Sequence, residues 1–283
     1  MSEWLARRVI AYAHQGGSFE GPSSTLAAIE RALDAGASGI ELDVHATQDR
    51  RLVVCHDDTV DRTTNRRGAI AEMTLEELRQ VDNAYWWIEG DVVTPGRPDQ
   101  DYQFRGRAPA DRRFGVATLE EVARTFPDVL LNLDIKGTAP EVQPYEEQLA
   151  DEITRLDLTG RVIVASFHDS AIQSFRRWAP SVPTSAATDE TADFYFSLDG
   201  ERLAPSVVAL QVPARYGTLD VVTESFVAGA HAAGIAVHVW TINDVDEMRR
   251  LVDLGVDGLI SDRPSVLTSV LRERGCLWEG LVA

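Results

Sequence analysis

The chain of 283 residues has only two cysteines and no long hydrophobic run. Cys55 and Cys276 have neither redox nor metal-ligand spacing, so we expect a buried, unreactive thiol at Cys55 rather than a disulfide framework. Because no stretch of about 18 apolar residues occurs, no membrane span is expected. The first residues lack the apolar segment of a signal peptide, which predicts a cytoplasmic protein.

Positive charge is scarce as well. The chain has 27 Lys and Arg residues against 45 Asp and Glu residues, a net charge of −18 at pH 7. Because nucleic-acid binding depends on a basic surface that releases counterions, we expect no nucleic-acid partner. The same acidity argues against stable association with an anionic membrane. A small anionic phosphate ester is still compatible with this charge if a metal or a few cations supply positive charge locally.

Short β-branched runs alternate with helical segments along nearly the whole chain, which predicts an α/β fold with a parallel sheet covered by helices. Eight strands without a dinucleotide or Walker loop favour a closed (β/α)8 TIM barrel, and we predict one domain over residues 1–283. The predicted strands are Val9–Ala13, Gly39–Val44, Val129–Ile135, Val162–Ser166, Val182–Ala186, Val207–Gln211, Ile235–Thr241 and Gly258–Ser261. The predicted helices are Ser24–Ala35, Glu141–Leu156, Asp169–Trp178, Thr223–Ala233, Val245–Leu254 and Pro264–Arg274.

Residues 82–115 break the alternation of strand and helix. The segment is rich in Pro, Gly, Asp and Arg and has neither a helical nor a strand period. Its aromatic residues, among them Trp86 and Trp87, argue against disorder, since disordered segments are poor in aromatics. We therefore predict an ordered insertion over the catalytic face of the barrel.

Two strand ends carry acidic side chains. Glu41 and Asp43 are two residues apart on one strand, so both point to the same face, and paired acids there favour a hard divalent cation. An exposed polar strand end is the alternative. Asn132, Asp134 and Lys136 share a face in the same way. Asp134 would complete a three-carboxylate site and Lys136 would contact a phosphate, or the two would form an ion pair that closes the barrel.

Two histidines also follow strands. His14 ends the first strand and His56 follows the apolar run at residues 52–55, so both are expected on the face where such barrels hold active sites. A single histidine is more often structural, but two that converge with three carboxylates indicate catalysis. Trp240, at the end of the seventh strand, is compatible with either the core or a substrate pocket.

Together these motifs resemble the glycerophosphodiester phosphodiesterase family over residues 13–264. No single motif is decisive, but their order and spacing are specific. In chain order the motifs are Ala13 to Gly17, Gly36 to Thr47, Leu52 to Asp57, Arg62 to Thr64, Asn132 to Lys136, Ser166-Phe167, Trp240 to Asn243 and Gly255 to Pro264.

The resemblance implies a TIM-barrel enzyme that hydrolyses glycerophosphodiesters to glycerol 3-phosphate and an alcohol. It implies one divalent cation, Mg²⁺ or Ca²⁺, on Glu41, Asp43 and Asp134. It also implies that His14 and His56 are the acid–base pair, and we assign His14 to the attacking oxygen and His56 to the leaving group. Either water or a neighbouring hydroxyl of the substrate would be the nucleophile. Gln15, Lys136 and Trp240 are the predicted substrate-binding residues.

Three departures from the family pattern affect the expected substrate. Gln15 stands where the family usually has arginine, Pro22 to Thr25 read Pro-Ser-Ser-Thr instead of Pro-Glu-Asn-Thr, and Asp134 replaces the usual glutamate. Since Gln15 is neutral, Arg62, Arg105 and Arg107 are the candidates to supply the missing charge, and we predict that the insertion lends one of the last two to the pocket. The alternative is that Gln15 contacts a hydroxyl of the substrate.

Two other functions are compatible with these residues. One is a lysophospholipase D-like or sphingomyelinase D-like activity on a lipid phosphodiester, which would require an apolar groove. The other is a catalytically weak barrel that binds metal or phosphate, suggested by Gln15 and the altered motif at residues 22–25. The presence of both histidines, the paired acids and Lys136 favours catalysis.

Overall fold

The computed structural model describes residues 3–6, 8–91, 93–198, 200 and 203–280. Eight parallel strands close into a barrel, because the first strand pairs with both the second and the eighth. The predicted (β/α)8 TIM barrel is therefore confirmed. In chain order the barrel strands are Ile10–His14, Gly39–Ala46, Leu130–Ile135, Val162–Ala165, Thr184–Ser185, Val207–Pro213, Ala236–Trp240 and Gly258–Ser261.

Helices follow most of these strands and begin at ordinary capping residues. Thr25 caps the helix after the first strand by accepting a hydrogen bond from the backbone of Ala28. The helix predicted from Glu141 begins at Glu146, because Pro144 disfavours helical backbone in the residue before it. The α-helices are Glu3–Ala6, Leu26–Asp34, Leu75–Leu78, Leu119–Thr125, Glu146–Arg155, Asp169–Trp178, Thr188–Ser197, Glu224–Ala232, Val245–Asp253 and Pro264–Glu273. No helix among the described residues has the length and apolar character needed to cross a membrane.

Alternation along the second strand separates the core from the site. Ile40, Leu42 and Val44 are fully buried in the cluster that packs under the helices. Glu41 and Asp43 point the other way and line a cavity inside the barrel mouth. Each buried aliphatic side chain of the outer face contributes about 1.5–3 kcal/mol. The strand is therefore held by its outer face and is free to carry acids on its inner face.

The amino-terminal half of the barrel interior is packed with side chains. Tyr12 is fully buried there, and its ring lies 5.2 Å from that of His238. A Cβ atom on Gly39 would approach this tyrosine to 2.5 Å, and Gly258 faces the same ring. Small residues on neighbouring strands thus make room for one large side chain, and this floor confines the polar site to the carboxyl ends of the strands.

Several elements differ from the predicted ones. The run at Leu52–Val54 pairs antiparallel with the second strand and with Ala117–Thr118, so His56 follows an extension of the sheet rather than a barrel strand. The fifth strand is only Thr184–Ser185, and the helix Thr188–Ser197 after it was not predicted. A short hairpin of Arg215–Tyr216 and Leu219–Asp220, also unpredicted, follows the sixth strand.

The predicted insertion, residues 82–115, contains the 3₁₀ turns Asp99–Asp101 and Arg112–Phe114. Its aromatic side chains pack on one another: Trp86 contacts Tyr102 edge-on, and Trp87 stacks on Phe104 at 5.2 Å. These contacts agree with an ordered segment. The limits of the single domain and the position of the insertion over the catalytic face stay predictions.

Candidate active site

Strand register brings three acidic side chains together. In the pairing of the second and third strands, Asp43 lies opposite Asp134, and Glu41 lies opposite Asn132. The first strand places His14 opposite Glu41. All three carboxylates are buried and line one cavity at the carboxyl end of the barrel. The predicted grouping of these acids is therefore present in the structure.

Lys136 lies between two of these acids. Its Nζ atom is 3.2 Å from Asp43 Oδ1 and 3.7 Å from Asp134 Oδ2, so the ion pair considered from the sequence is formed. Burial lowers the pKa of Lys136, but the charges of Asp43 and Asp134 raise it on balance, so the ammonium stays charged. Lys136 also lines the cavity, which leaves it available to a phosphate.

The acidic cluster holds more negative charge than Lys136 compensates. Burial, and then the charge of Asp43, raises the pKa of Glu41 to about 8. The same causes raise the pKa of Asp134 to about 7. Asp43 Oδ2 and Asp134 Oδ1 are buried and have no hydrogen-bond partner among the described residues. Buried acceptors that lack donors are costly, so these two oxygens fit a cation that would bind them.

The three carboxylates do not form a complete set of metal ligands in this structure. Within the described residues, no three His, Cys, Asp or Glu side chains are arranged as a complete ligand group. The donor chemistry nevertheless suits Mg²⁺ or Ca²⁺, which prefer carboxylate oxygens. Glu41, Asp43 and Asp134 would hold the ion.

His14 forms a partly buried pair with a carboxylate near the other end of the chain. Its Nδ1 atom lies 2.6 Å from Asp262 Oδ1, at the end of the eighth strand. Ser18 donates to Asp262 Oδ1 and Asn243 donates to Asp262 Oδ2, at 2.6 and 2.7 Å. Burial lowers the pKa of His14, but the hydrogen bond to Asp262 and the charge of Glu41 raise it to about 9 on balance.

His56 has its own carboxylate partner. Its Nδ1 atom lies 2.7 Å from Asp57 Oδ1, and both oxygens of Asp57 accept hydrogen bonds from Arg62, at 2.6 and 2.9 Å. Burial raises the pKa of Asp57, but the hydrogen bonds from His56 and Arg62 hold it well below its usual range. The fork of Arg62 therefore fixes the carboxylate that orients His56.

The two imidazoles meet edge to face and line the same cavity as the three acids. Their ring centroids are 6.0 Å apart and their planes are nearly perpendicular, at 87°. Both line a cavity of about 680 Å³, a volume in the range of small-molecule sites. With Nδ1 of each ring bonded to a carboxylate, Nε2 is the nitrogen that would exchange a proton with a substrate, and in His14 the amide of Gln15 contacts this atom at 3.1 Å.

Two predicted substrate-binding residues occupy different positions. Trp240 lines the cavity and meets Phe167 edge-on at 5.5 Å. Gln15 is buried behind His14, where its amide nitrogen lies 3.1 Å from Nε2 of that ring and its carbonyl accepts a hydrogen bond from Ser23. Gln15 therefore contacts the histidine directly, and its binding of substrate stays a prediction.

The insertion does not lend an arginine to the cavity, so that prediction is wrong. Arg105 lies over the rings of Tyr85, Trp86 and Tyr102 and bonds to Asp99. Arg107 lies over the rings of two phenylalanines. None of the described residues of the insertion is among those that line the cavity. Aromatic faces attract guanidinium groups, and here they hold both inside the insertion.

The insertion instead contacts the loop that follows His14. Trp87 donates its indole N–H to the carbonyl of Ser18, and Asn83 donates to the carbonyl of Ser23. Ser18 in turn bonds to Asp262, the partner of His14. The segment therefore braces the first histidine through the backbone of its loop.

The sequence analysis missed the roles of Asp262, Asn243 and Asp57. Signals for them existed, since these residues lie inside the quoted motifs at 255–264, 240–243 and 52–57. No partner could be named for His14 because Asp262 is 248 positions away, and only barrel closure brings them together.

Comparison with known proteins identifies the family of this chain. The model of the glycerophosphoryl diester phosphodiesterase family matches residues 14–266. A glycerophosphodiester phosphodiesterase of Caldanaerobacter subterraneus is 30% identical over 270 residues, which cover 95% of this chain and 100% of the relative. A probable glycerophosphodiester phosphodiesterase of Mycobacterium tuberculosis is 29% identical, with 96% and 93% covered.

Solved structures share the barrel. A glycerophosphoryl diester phosphodiesterase domain from Mycobacterium tuberculosis superposes with a TM-score of 0.74 at 21% identity, covering 94% of this chain and 99% of that one. A putative glycerophosphoryl diester phosphodiesterase from Silicibacter pomeroyi gives 0.70 at 25% identity, with 96% of each chain covered. From the family match and the curated relatives, this chain is an enzyme and belongs to the glycerophosphoryl diester phosphodiesterase family.

Proposed function

We propose that this enzyme hydrolyses glycerophosphodiesters to glycerol 3-phosphate and an alcohol. The observation that carries the proposal is the pair of imidazoles 6.0 Å apart beside three buried carboxylates in one cavity. Names of the curated relatives support the substrate class. An Oleispira antarctica phosphodiesterase with this fold, at 24% identity and a TM-score of 0.70, was solved with the product sn-glycerol-3-phosphate.

The proposal includes one divalent cation, Mg²⁺ or Ca²⁺, held by Glu41, Asp43 and Asp134. When bound, the ion would neutralise the acidic cluster and stabilise negative charge on phosphate oxygens. Among the described residues that line the cavity, Lys136 alone carries a full positive side-chain charge besides any protonated histidine. Lys136 would therefore orient the phosphate by a charge-assisted hydrogen bond.

Proton transfer would be divided between the two histidines. In its neutral form, His14 would take the proton of the attacking oxygen, either water or a neighbouring hydroxyl of the substrate. A cation held by Glu41 and Asp43 would favour that form, because the charges of these acids are among the causes that raise the pKa of His14. His56 would give a proton to the oxygen of the leaving alcohol as its bond to phosphorus breaks. Asp262 and Asp57 would hold the two rings in the required orientation.

Metal removal tests the proposal. Treatment with EDTA should abolish hydrolysis of glycerophosphocholine, and Mg²⁺ or Ca²⁺ should restore it. Asp43→Asn removes one charge from the centre, so elemental analysis should find less bound metal and activity should not return at moderate metal concentration. Asp246→Asn is the matched control, because that carboxylate is exposed and pairs with Arg249 at the surface. Full activity of stripped protein would contradict the metal, and no hydrolysis with either ion would favour the catalytically weak barrel.

A further inference from the structure

The interior of the barrel carries a layer of polar side chains directly above its apolar floor. In the floor, the inward-facing residues of the third, sixth and seventh strands are Leu130, Ala209 and Ala236. Successive inward-facing residues of a strand are two positions apart, so the next layer on these strands consists of Asn132, Gln211 and His238. We call these three residues the polar layer. Because polar groups are costly inside a barrel, such a layer indicates an internal network or a ligand.

Hydrogen bonds join the polar layer across the barrel. Nδ2 of Asn132 donates to Oε1 of Gln211 at 3.2 Å, and Nε2 of Gln211 lies 3.5 Å from Nδ1 of His238. These contacts fix which end of each amide carries the oxygen. Because the nitrogen of Asn132 is directed at Gln211, its oxygen is turned away from this network.

The amide oxygen of Asn132 is a buried acceptor beside the cavity. Asn132 is 2% exposed and lines the cavity of the two histidines. Its Oδ1 atom has no hydrogen-bond partner among the described residues. Glu41 lies opposite Asn132 in the strand register, and Asp134 lies two positions further along its own strand. Ionised acids only accept hydrogen bonds, so this part of the cavity favours a ligand that donates them.

Depth in the cavity distinguishes the two ends of a phosphodiester. Asn132 lies two positions, about 7 Å of extended strand, below Asp134 in the direction of the floor. His56, which we propose to protonate the leaving alcohol, lies nearer the solvent, and its side chain is 36% exposed. A phosphate beside Lys136 would therefore have one alcohol toward Asn132 and the other toward His56.

We propose that Asn132 accepts a hydrogen bond from a hydroxyl of the alcohol that stays on phosphorus, which makes it a specificity residue of this site. The proposal rests on the proposed function and deepens it. The substrate class is a phosphodiester whose retained alcohol has a free hydroxyl. Gln211 is a positioning residue, because it orients the amide of Asn132.

This hydrogen bond also gives the substrate a direction. A choline group has neither N–H nor O–H to donate, so in glycerophosphocholine only the glycerol end satisfies Asn132 Oδ1. The choline oxygen then lies toward His56. The attacking oxygen gives its proton to His14 as it adds to phosphorus, the bond to the choline oxygen breaks, and that oxygen receives a proton from His56.

Analogues that lack one hydroxyl test the hydrogen bond in the unaltered enzyme. Glycerophosphocholine would be compared with 2-hydroxypropyl phosphocholine and 3-hydroxypropyl phosphocholine, each of which lacks one of the two glycerol hydroxyls. For at least one analogue kcat/KM should fall by about tenfold or more, because Asn132 Oδ1 is left without a donor. Equal kcat/KM for the three esters would overturn the proposal.

Asn132→Leu separates recognition from chemistry. Leucine is similar in shape but has no acceptor, so the variant should hydrolyse glycerophosphocholine and the affected analogue with nearly equal kcat/KM. A hydroxyl that attacks phosphorus would be needed equally by both forms of the enzyme, so an undiminished preference in the variant would contradict recognition by Asn132. Asn132→Ala gives the same comparison if the leucine variant does not fold.

Two further variants locate the effect. Gln211→Leu should reduce the preference for the hydroxyl less than Asn132→Leu does, because Asn132 keeps its acceptor but loses the group that orients it. Gln103→Leu is the matched control, since this amide is exposed on the insertion and does not line the cavity. The control should keep the full preference.

The outcomes separate this proposal from the function on which it rests. Hydrolysis of all three esters at equal kcat/KM leaves the proposed function intact and removes the role of Asn132. If no ester is hydrolysed, the proposed function fails, and calorimetry with phosphonate analogues decides. Tighter binding of the analogue with the hydroxyl, lost in Asn132→Leu, would support the proposal, and equal binding would refute it. Elemental analysis that finds less bound metal in Asn132→Leu would show that Oδ1 binds the cation instead, which also refutes it.

Discussion

The two histidines of the candidate active site are paired with carboxylates in different ways. Asp262 is 248 positions from His14, whereas Asp57 is the next residue after His56. The first pair joins the ends of the first and eighth strands and exists only when the barrel is closed. The second pair lies on one loop. One catalytic orientation therefore depends on the whole fold and the other on local structure.

The pairs also differ in charge. Ser18 and Asn243 hold Asp262 with neutral donors, so its negative charge acts fully on His14. Asp57 accepts two hydrogen bonds from the Arg62 guanidinium, whose positive charge offsets the effect of this carboxylate on His56. The stability of protonated His14 should therefore depend strongly on Asp262, whereas Asp57 should act on His56 mainly by orienting its ring.

Removal of either imidazole should have the largest effect. His14→Ala and His56→Ala should each lower kcat on the order of 10² to 10⁴, because in the proposed mechanism each ring transfers a proton in the transition state. The double variant should lose much less than the product of the two single losses, since the proposed mechanism has both rings act in one transition state. Steady-state kinetics on glycerophosphocholine measures all three losses. Multiplicative losses would contradict a shared step.

A leaving group of low pKa separates the two roles. Bis(p-nitrophenyl) phosphate releases p-nitrophenolate, which needs little protonation as it departs. If His56 protonates the leaving oxygen, His56→Ala should recover much of its rate on this ester, and His14→Ala should not. Recovery by His14→Ala alone would show that the two roles are reversed. If neither variant recovers, this division of roles between the histidines is wrong.

Replacement of the two carboxylates tests the comparison directly. Asp262→Asn should lower kcat on the order of 10², since His14 loses its charged partner and can take the wrong tautomer. Asp57→Asn should cost less, roughly tenfold, because the lost charge was already balanced by Arg62. Equal losses, measured as kcat at saturating substrate, would show that the charge difference between the pairs does not matter.

The pH dependence of kcat should show the effect of Asp262 on His14 as a shift in a known direction. Asp262 is among the causes that raise the pKa of His14 to about 9, against the lowering effect of burial. Without that carboxylate the protonated ring is less stable, so the pKa of His14 should fall. The limb of the kcat profile that reports His14 should therefore move to lower pH in Asp262→Asn. If the limb does not move, it reports the ionisation of a group other than His14.

Much of the barrel could be predicted because its strands and helices follow from the local spacing of apolar residues. Alternation along Gly39–Ala46 separates Ile40 and Leu42 from Glu41 and Asp43, and the structure has the same separation. The fifth strand was harder, because only Thr184–Ser185 pair there and two residues carry little periodicity. The orientation of Leu52–Val54 was also missed, since a short apolar run does not reveal whether its partner is parallel.

The aromatic residues show where prediction from sequence failed. Those of the insertion are close together in the chain, and they pack on Arg105 and on each other. Those that line the cavity come from residues 167, 195–196 and 216, and no local pattern joins them. Composition reports which segment is rich in aromatics, whereas barrel topology decides which aromatics meet at the mouth.

The clamp on Asp57 should give the smallest effect. Arg62→Lys keeps the positive charge but replaces a planar fork that donates through Nε and Nη2 with a single ammonium. Asp57 would stay ionised and less firmly oriented, so kcat should fall only a few-fold, well below the roughly tenfold loss expected for Asp57→Asn. Arg124→Lys is the matched control, because that arginine forms an exposed pair with Glu120 one helical turn away. A loss for Arg62→Lys as large as that for Asp57→Asn would mean that the fork, rather than the carboxylate, sets the position of His56.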